Sequence, residues 1–350
     1  MQKRRHFFKS VAGISLATML PGSLAGRSVQ GLPVETPILP KRLKPGDTLG
    51  LIAPGYAISE EILEETKATL SEMGFNTHNT PGILGRHGYF SNTDAIRVKD
   101  LNSMFADPEI AGIICVRGGY GCTRILENIN YDQIRRHPKV LLGFSDITAL
   151  LNGIHQRTGL ITFHGPVGST LEDTYSISQL QQLVIKASEN LEIRNAILED
   201  HLPEEPEYER YTITKGKASG KLVGGSLTLV NALMGTPYEI DFTDKIVCLE
   251  DVEEAPYRID RMLTQLLSGP TFKKAAGIMF GVCAGCNSST NPNSFTLKEV
   301  VLDRIKPVGI PAVYGMSFGH VKQNFSFPIG LSATLDCDKK TLQLHGKAVV

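Results

Sequence analysis

Apolar runs and helical patterns alternate along the first half of the chain. Residues 48–54 form an apolar run that a Pro-Gly pair closes, which is typical of a buried strand. Ser59 can cap the helix that follows, because two glutamates occupy its first turn and Gly74 ends its apolar period. The same patterns predict helices over 93–105 and about 146–156, and strands over 110–116, 139–144 and 159–163.

The second half of the chain is richer in strands. The patterns predict strands over 245–249, 276–280 and 311–314, and helices over 227–234, 257–267 and 297–305. Residues 199–217 are acidic, interrupted by proline and without an apolar period, which indicates a linker or a long surface loop. Strands that alternate with helices pair in parallel. The sequence therefore predicts an α/β protein, with a Rossmann-like parallel-sheet domain over 45–198 and a strand-rich α/β domain over 218–350.

The N-terminus has the pattern of an export signal. Basic residues precede an apolar run over 11–20, which is shorter than the roughly 20 residues that a membrane-spanning helix needs. A small-x-small cleavage pattern follows, and Arg4-Arg5 is similar to a twin-arginine signal. We therefore expect an export signal over 1–26, a tether over 27–44 and a periplasmic location, without stable membrane insertion once the signal is removed. The alternative is an uncleaved amphipathic N-terminus on a cytoplasmic protein.

Composition and charge exclude some classes of partner. The 350-residue chain has 36 basic and 36 acidic side chains, and this balance argues against nucleic acid. Its hydrophobic content of 41% is that of a packed globular protein. Six cysteines are too few for a disulfide scaffold at this length, and the CxxC at 283–286 lacks the second pair of a zinc site. The state of the cysteines is left open.

One serine lies where a predicted strand turns into a predicted helix. In the motif GFSDIT, Ser145 would stand at the carboxyl edge of the sheet, beside the N–H groups of a helix N-terminus. That position suits a nucleophile and a developing oxyanion, although Ser145 or Asp146 could instead merely cap the helix. Ile147 replaces the second glycine of G-x-S-x-G. Ser317 matches that motif literally, but no helical pattern follows it, so we interpret the match as chance.

Other candidate site residues also lie at strand ends. The motif RGGYG places Gly118 and Gly119 where the backbone can approach a ligand, as an oxyanion loop requires, or can simply form a tight turn. No dinucleotide or P-loop motif is present. Position alone does not choose among the candidates for a base and its acidic partner, which are His164, His320, Glu250 and Asp251.

The motifs RGGYG, GFSDIT, HGP, a glycine pair, LED and GH follow one another in this order. The order resembles the serine L,D-carboxypeptidase family, the muramoyl-tetrapeptide carboxypeptidases, with microcin C immunity peptidases as relatives, over about residues 45–345. The resemblance implies a nucleophile at Ser145, a base at His320 and its orienting acid at Glu250. It also implies a homodimer and no metal or cofactor. Because the triad would be shared between the two predicted domains, we expect the site in the cleft between them.

The resemblance also implies contacts around the nucleophile. The N–H of Asp146, with one from Gly118 or Gly119, is expected to hold the oxyanion. Many relatives have asparagine after the glycine pair, where this chain has Ser226, so we expect the substrate contact there to differ.

The sequence thus predicts an exported serine carboxypeptidase that removes the terminal D-Ala from the L,D bond of murein tetrapeptides. One alternative is a hydrolase of a peptidyl or aminoacyl nucleotide toxin, which the absence of Trp for base stacking disfavours. Another is a periplasmic binding module without catalysis. The sequence leaves open whether lysine or diaminopimelate stands at position three of the peptide, and whether the signal is cleaved.

Overall fold

Two β-sheets and the helices packed on them make up the described part of the chain. A computed structural model describes residues 37–197, 201, 204–287 and 290–350. In these ranges the strands are β1 (Thr48–Ile52), β2 (Asn76–Asn79), β3 (Ile110–Cys115), β4 (Val140–Gly143), β5 (Thr162–His164), β6 (Glu192–Ile193), β7 (Tyr211–Thr214), β8 (Lys217–Ser226), β9 (Lys245–Val252), β10 (Gly277–Ala284), β11 (Ala312–Tyr314), β12 (Phe327–Ile329), β13 (Ser332–Asp336) and β14 (Thr341–Leu344). The helices are α1 (Glu60–Glu72), α2 (Asp94–Ala106), α3 (Cys122–Ile125), α4 (Tyr131–Arg136), α5 (Thr148–Thr158), α6 (Thr174–Val184), α7 (Leu227–Ala232), α8 (Pro256–Ser268) and α9 (Leu297–Ile305).

The first sheet is parallel except at one edge. Its strand order is β12-β5-β4-β3-β1-β2. Strands β1 to β5 pair in parallel, and β12 runs antiparallel to β5. The parallel strands therefore stand in the order 2-1-3-4-5 of a doubly wound sheet, in which ligands bind beyond the carboxyl ends of the strands. This confirms the predicted Rossmann-like sheet.

The second sheet has a parallel centre and antiparallel edges. Its order is β6-β14-β13-β8-β9-β10-β11-β7. Strands β8 to β11 are parallel, whereas β6, β7, β13 and β14 pair with their neighbours in antiparallel register. The strand-rich α/β character predicted for the second half is thus confirmed.

Helix α5 joins the two sheets. It follows β4 in the first sheet, and Asn152 on it exchanges two hydrogen bonds with the backbone of Gly224 in β8, at 2.8 and 3.0 Å. Thr148 Oγ1 accepts a third from the Ser226 N–H at 3.0 Å. The larger apolar core cluster contains residues of both sheets, such as Phe163 and Leu335. None of the helices in the described ranges is long and apolar enough to cross a membrane.

Capping signals located the helix ends well. The Ser59 hydroxyl accepts a hydrogen bond from the Ile62 N–H, and Gly74 follows the end of α1 with a φ of +91°. Helix α9 occupies the predicted range 297–305, because Thr296 and Glu299 form a reciprocal capping box. Local side-chain chemistry alone is sufficient for such ends.

The structure contains elements that the sequence patterns did not predict, among them helix α6 and the central strand β8. Strand β2, with the sequence NTHN, is a polar edge strand, and β7 lies inside the predicted linker 199–217, where it pairs with β11. Part of the predicted tether packs on the body: Ile38 pairs with Leu160, and Leu43 is buried. The predicted signal over 1–26 and tether residues 27–36 lie outside the described residues.

Candidate active site

Ser145 lies on a tight turn directly after β4. Its φ is +60°, a conformation that costs a non-glycine residue about 1–3 kcal/mol. A single 3-10 turn over Ser145–Ile147 leads into α5, and the Ile147 N–H donates to the Phe144 carbonyl at 3.2 Å. The serine is half-buried between the buried Phe144 and Asp146. This strained strand-to-helix turn has the features of a nucleophile elbow.

The RGGYG loop lies against the serine turn. A Cβ atom on Gly118 would stand 3.0 Å from the Ser145 Cβ and 3.3 Å from the Asp146 backbone nitrogen, so the loop can approach the turn only without a side chain. The Tyr56 N–H donates to the Gly118 carbonyl at 3.0 Å. Gly119 has a φ of +100° and packs on the ring of Tyr56. Of the backbone groups proposed for an oxyanion site, Asp146 follows Ser145 directly and Gly118 packs against both residues.

Hydrogen bonds with two buried side chains, those of Asp146 and Arg97, hold the RGGYG loop in place. The Asp146 carboxylate accepts a hydrogen bond from the Cys122 N–H at 2.9 Å, and burial raises the pKa of Asp146. On the other side, the Arg97 guanidinium donates to the Gly121 carbonyl at 3.1 Å and to the Pro54 carbonyl. Sequence reasoning missed Arg97. The signal that could have found it is a charged residue on the buried face of α2.

Strand β9 and the loop after β11 bring an acid and a base together. Glu250 is fully buried, and its Oε2 lies 2.8 Å from Nδ1 of His320. Gly319 has a φ of +110°, and a Cβ atom there would lie 2.8 Å from Glu250 Oε2, so the loop passes directly over the carboxylate. The His320 side chain keeps 21% of its surface exposed. Its ring centroid lies 4.7 Å from that of Phe144, the residue before the serine.

The acid and the base shift each other's protonation. Burial opposes ionisation of Glu250, but His320 and His164 together outweigh burial and lower the pKa of Glu250. Burial also opposes the charged form of His320, but Glu250, together with the charges of Asp251 and Glu253, outweighs burial and raises the pKa of His320. The carboxylate therefore holds the Nδ1–H of His320, which leaves Nε2 as the basic nitrogen.

The structure brings the three predicted triad residues to one place. Within the described ranges, Ser145 and His320 do not share a hydrogen bond, and Phe144 connects them through its backbone and its ring. Catalytic hydrogen bonds are often long in enzymes without substrate and tighten in the complex. The acid–base pair is thus made, and the serine lies beside it.

The other predicted site residues have structural contacts. Ser226 is buried opposite Glu250 in the β8–β9 ladder, and its hydroxyl caps α7 through the Leu229 N–H at 3.4 Å. Ser317 is fully buried, where its Oγ accepts from the Ala196 N–H at 3.0 Å and from Arg210 at 3.1 Å. These contacts agree with our interpretation of the Ser317 motif as a chance match.

Neither a metal cluster nor a disulfide is present among the described residues. In those ranges, no group of three or more His, Cys, Asp or Glu side chains could hold a metal ion. The six cysteines are free and buried.

These features define a class of α/β protein in which a serine turn and a histidine–carboxylate pair meet at the edge of a doubly wound sheet. The profile of the LD-carboxypeptidase N-terminal domain matches residues 49–165, and that of the LD-carboxypeptidase C-terminal domain matches residues 219–335. The chain belongs to the LD-carboxypeptidase family, which confirms the resemblance seen in its motifs, and it is a peptidase of that family.

Named relatives cover almost the whole chain. A probable murein peptide carboxypeptidase of Bacillus subtilis is 38% identical, over 86% of this chain and 92% of the relative. A murein tetrapeptide carboxypeptidase of Pseudomonas aeruginosa is 31% identical, over 82% and 92%. The Microcin C7 self-immunity protein MccF of Escherichia coli is 26% identical, over 88% and 96%. The crystal structure of an MccF-like protein from Bacillus anthracis is 28% identical, with a TM-score of 0.76 over 88% of this chain and 99% of that one.

Proposed function

We propose that this protein is a serine carboxypeptidase that hydrolyses the L,D-peptide bond to the terminal D-Ala of murein tetrapeptides, through an acyl-enzyme on Ser145. The observation that carries the proposal is the 2.8 Å hydrogen bond from His320 to the buried Glu250, beside a serine with a φ of +60°. The substrate class is supported by the murein peptide carboxypeptidases among the relatives.

The proposed reaction has two halves. His320 Nε2 takes the proton of the Ser145 hydroxyl while Oγ bonds to the scissile carbonyl carbon. The negative charge that develops on the carbonyl oxygen is held by the N–H of Asp146 and one from the RGGYG loop. The C–N bond then breaks, and His320 gives its proton to the departing D-Ala amine. Water, deprotonated by His320, hydrolyses the ester and frees Ser145.

Ser145→Ala tests this mechanism, with Ser317→Ala as the matched control. We expect Ser145→Ala to lower turnover by about 10⁴–10⁶, because triad members act as a unit. Ser317→Ala removes an acceptor of two buried hydrogen bonds, so it should cost about 1–3 kcal/mol of stability and leave turnover near normal. The measurement is D-Ala release from a tetrapeptide, with circular dichroism to confirm folding. Near-normal turnover of a folded Ser145→Ala variant would refute the mechanism.

An aromatic surface beside the RGGYG loop favours a second candidate, a hydrolase of a peptidyl or aminoacyl nucleotide. Tyr89 is 57% exposed and Tyr120 is 43% exposed. Their ring centroids are 5.9 Å apart, and Tyr89 also contacts Tyr56 at 5.7 Å. Such rings could stack on a base despite the absence of Trp. Incubation with an aminoacyl nucleotide and with murein tetrapeptide, in parallel, separates the two functions, and cleavage of neither would favour the binding module.

We also propose that the protein is exported to the periplasm, on the evidence of Arg4-Arg5 before a short apolar run. Replacing both arginines with lysine should leave precursor in the cytoplasm. An unchanged periplasmic yield, measured by fractionation and immunoblotting, would contradict this proposal.

A further inference from the structure

A second histidine stands behind the Glu250–His320 pair. His164 ends β5 and is fully buried, and its Nε2 lies 3.9 Å from Oε1 of Glu250. This oxygen is the one that His320 does not bind. Among the described residues, neither ring nitrogen of His164 nor Glu250 Oε1 has a hydrogen-bond partner. Because buried polar atoms almost always have partners, two unpartnered atoms that face each other point to an interaction between them.

Aromatic packing fixes the direction of the His164 ring. The ring stacks on Phe327 with centroids 4.6 Å apart and planes inclined by 16°. Phe318 and Phe144 meet it edge-on, at 5.8 and 6.0 Å. The backbone of Gly225 closes the remaining side, where a Cβ atom would lie 3.1 Å from His164 Cδ2. The ring therefore cannot turn away from Glu250 without repacking of the core.

The charges around the site favour a neutral ring at this position. Burial lowers the pKa of His164, and it outweighs the attraction of Glu250, while a charged His320 acts in the same direction as burial. A neutral imidazole has a single N–H, and the acceptor that Nε2 faces is Glu250 Oε1. The acidic groups that act on His320 itself are Glu250, Asp251 and Glu253.

We propose that His164 is a positioning residue: as the neutral Nε2–H tautomer it holds Oε1 of Glu250, so that Oε2 stays aimed at His320. The 3.9 Å separation exceeds a hydrogen bond by about 1 Å, which a small rotation of the carboxylate would close. The role in turnover rests on the proposed triad.

Two substitutions distinguish the effect of the His164 N–H donor from the effect of its aromatic ring. His164→Phe keeps the aromatic packing and removes the donor, whereas His164→Gln places an amide N–H near the position of Nε2. We expect His164→Phe to lower kcat about 10-fold with little change in KM, because Glu250 loses its fixed orientation. The acid limb of its kcat/KM profile should move to lower pH, because a carboxylate that is no longer aimed at His320 raises the pKa of His320 less. His164→Gln should recover most of the rate and the original profile.

Nitrogen NMR of the histidine rings gives a readout that needs no substrate. We expect His164 to be the neutral Nε2–H tautomer across the pH range of activity, and the titration of His320 to move to lower pH in His164→Phe. An unmoved His320 titration in a folded His164→Phe protein would overturn the inference, as would an Nδ1–H tautomer or a His164→Gln variant as impaired as His164→Phe. A shifted titration in a protein that releases no D-Ala would support the role of His164 and refute the proposed function instead.

Discussion

At the scale of single residues, the backbone of Ser145 separates the two interpretations of its motif. A serine that caps a helix has an extended φ, and its hydroxyl accepts from the first turn. Ser145 instead has a φ of +60° and does not stand at an N-cap position, since Phe144 precedes the 3-10 turn and Ile147 precedes α5. The Asp146 carboxylate binds the Cys122 N–H. A costly conformation without a capping bond is typical of residues held for chemistry.

Glu250→Gln tests the effect of the Glu250 charge on His320. The carboxylate raises the pKa of His320, so its replacement by an amide should lower that pKa and move the acid limb of kcat/KM to lower pH. Turnover should fall by about 10²–10⁴, because the amide no longer fixes the tautomer or stabilises the imidazolium. The measurement is D-Ala release across pH.

Glu253→Gln is the control for Glu250→Gln. Glu253 is exposed and also raises the pKa of His320 through its charge. Glu253→Gln should move the acid limb of kcat/KM slightly to lower pH and keep its turnover. An acid limb that stays in place in Glu250→Gln would show that another group sets it.

The sequence predicted some residues of the site but not others. Strand ends alone left His164, His320, Glu250 and Asp251 as equal candidates, and the order of motifs selected two of them. Arg97 could not be found in this way, because its partners are carbonyl groups of two distant loops. The helical pattern places Arg97 on the buried face of α2, but the carbonyl groups that it binds there depend on tertiary structure.

At the scale of elements, glycines set the distances between the loops of the site. Gly319→Ala would place a methyl group 2.8 Å from Glu250 Oε2, in a residue whose φ is +110°. The displaced carboxylate should lower turnover by about 10–100-fold, since a shift of about 1 Å at a catalytic group has effects of this size. Kinetics of D-Ala release and thermal unfolding are the measurements.

Gly309→Ala controls for backbone strain in Gly319→Ala. Gly309 has a φ of +78°, and a Cβ atom there would meet nothing within 4 Å. It should lose about 1–2 kcal/mol of stability from the left-handed backbone and retain its turnover. Equal turnover in both variants would mean that the Gly319 contact with Glu250 does not matter for catalysis.

Strands that are apolar throughout were predicted better than strands of mixed polarity, for a physical reason. A buried parallel strand such as β4 is apolar throughout, which gives a strong signal. The hairpin of β13 and β14 has only alternating burial along short strands, and β2 shows no buried position at all. Strands of mixed polarity form by pairing with a neighbour, so their own residues predict them weakly. The same holds for β8, which lies at the centre of the second sheet and was not predicted.

At the scale of the whole molecule, the C-terminal half of the chain contributes a strand to the sheet of the N-terminal half. Strand β12 comes from the C-terminal half but pairs with β5 in the first sheet, where Phe327 stands opposite His164. The two ends of the described chain also meet, because the Val350 N–H donates to the Pro40 carbonyl at 3.0 Å, and Arg42 donates back at 2.7 Å. A domain in the usual sense could fold alone. The crossing of β12 predicts that these halves cannot.

Separate expression of residues 37–197 and 204–350 tests this dependence. The first piece lacks β12, which leaves the edge of β5 unpaired and removes the cover of Phe163 and His164. We expect neither piece alone to unfold cooperatively in urea, and both to bind a dye for exposed apolar surface. Co-expression should restore a 1:1 complex with activity. As a control, the intact chain cut between 197 and 204 after folding should stay assembled and active. Cooperative unfolding of the 37–197 piece by itself would show that the first sheet is complete without β12.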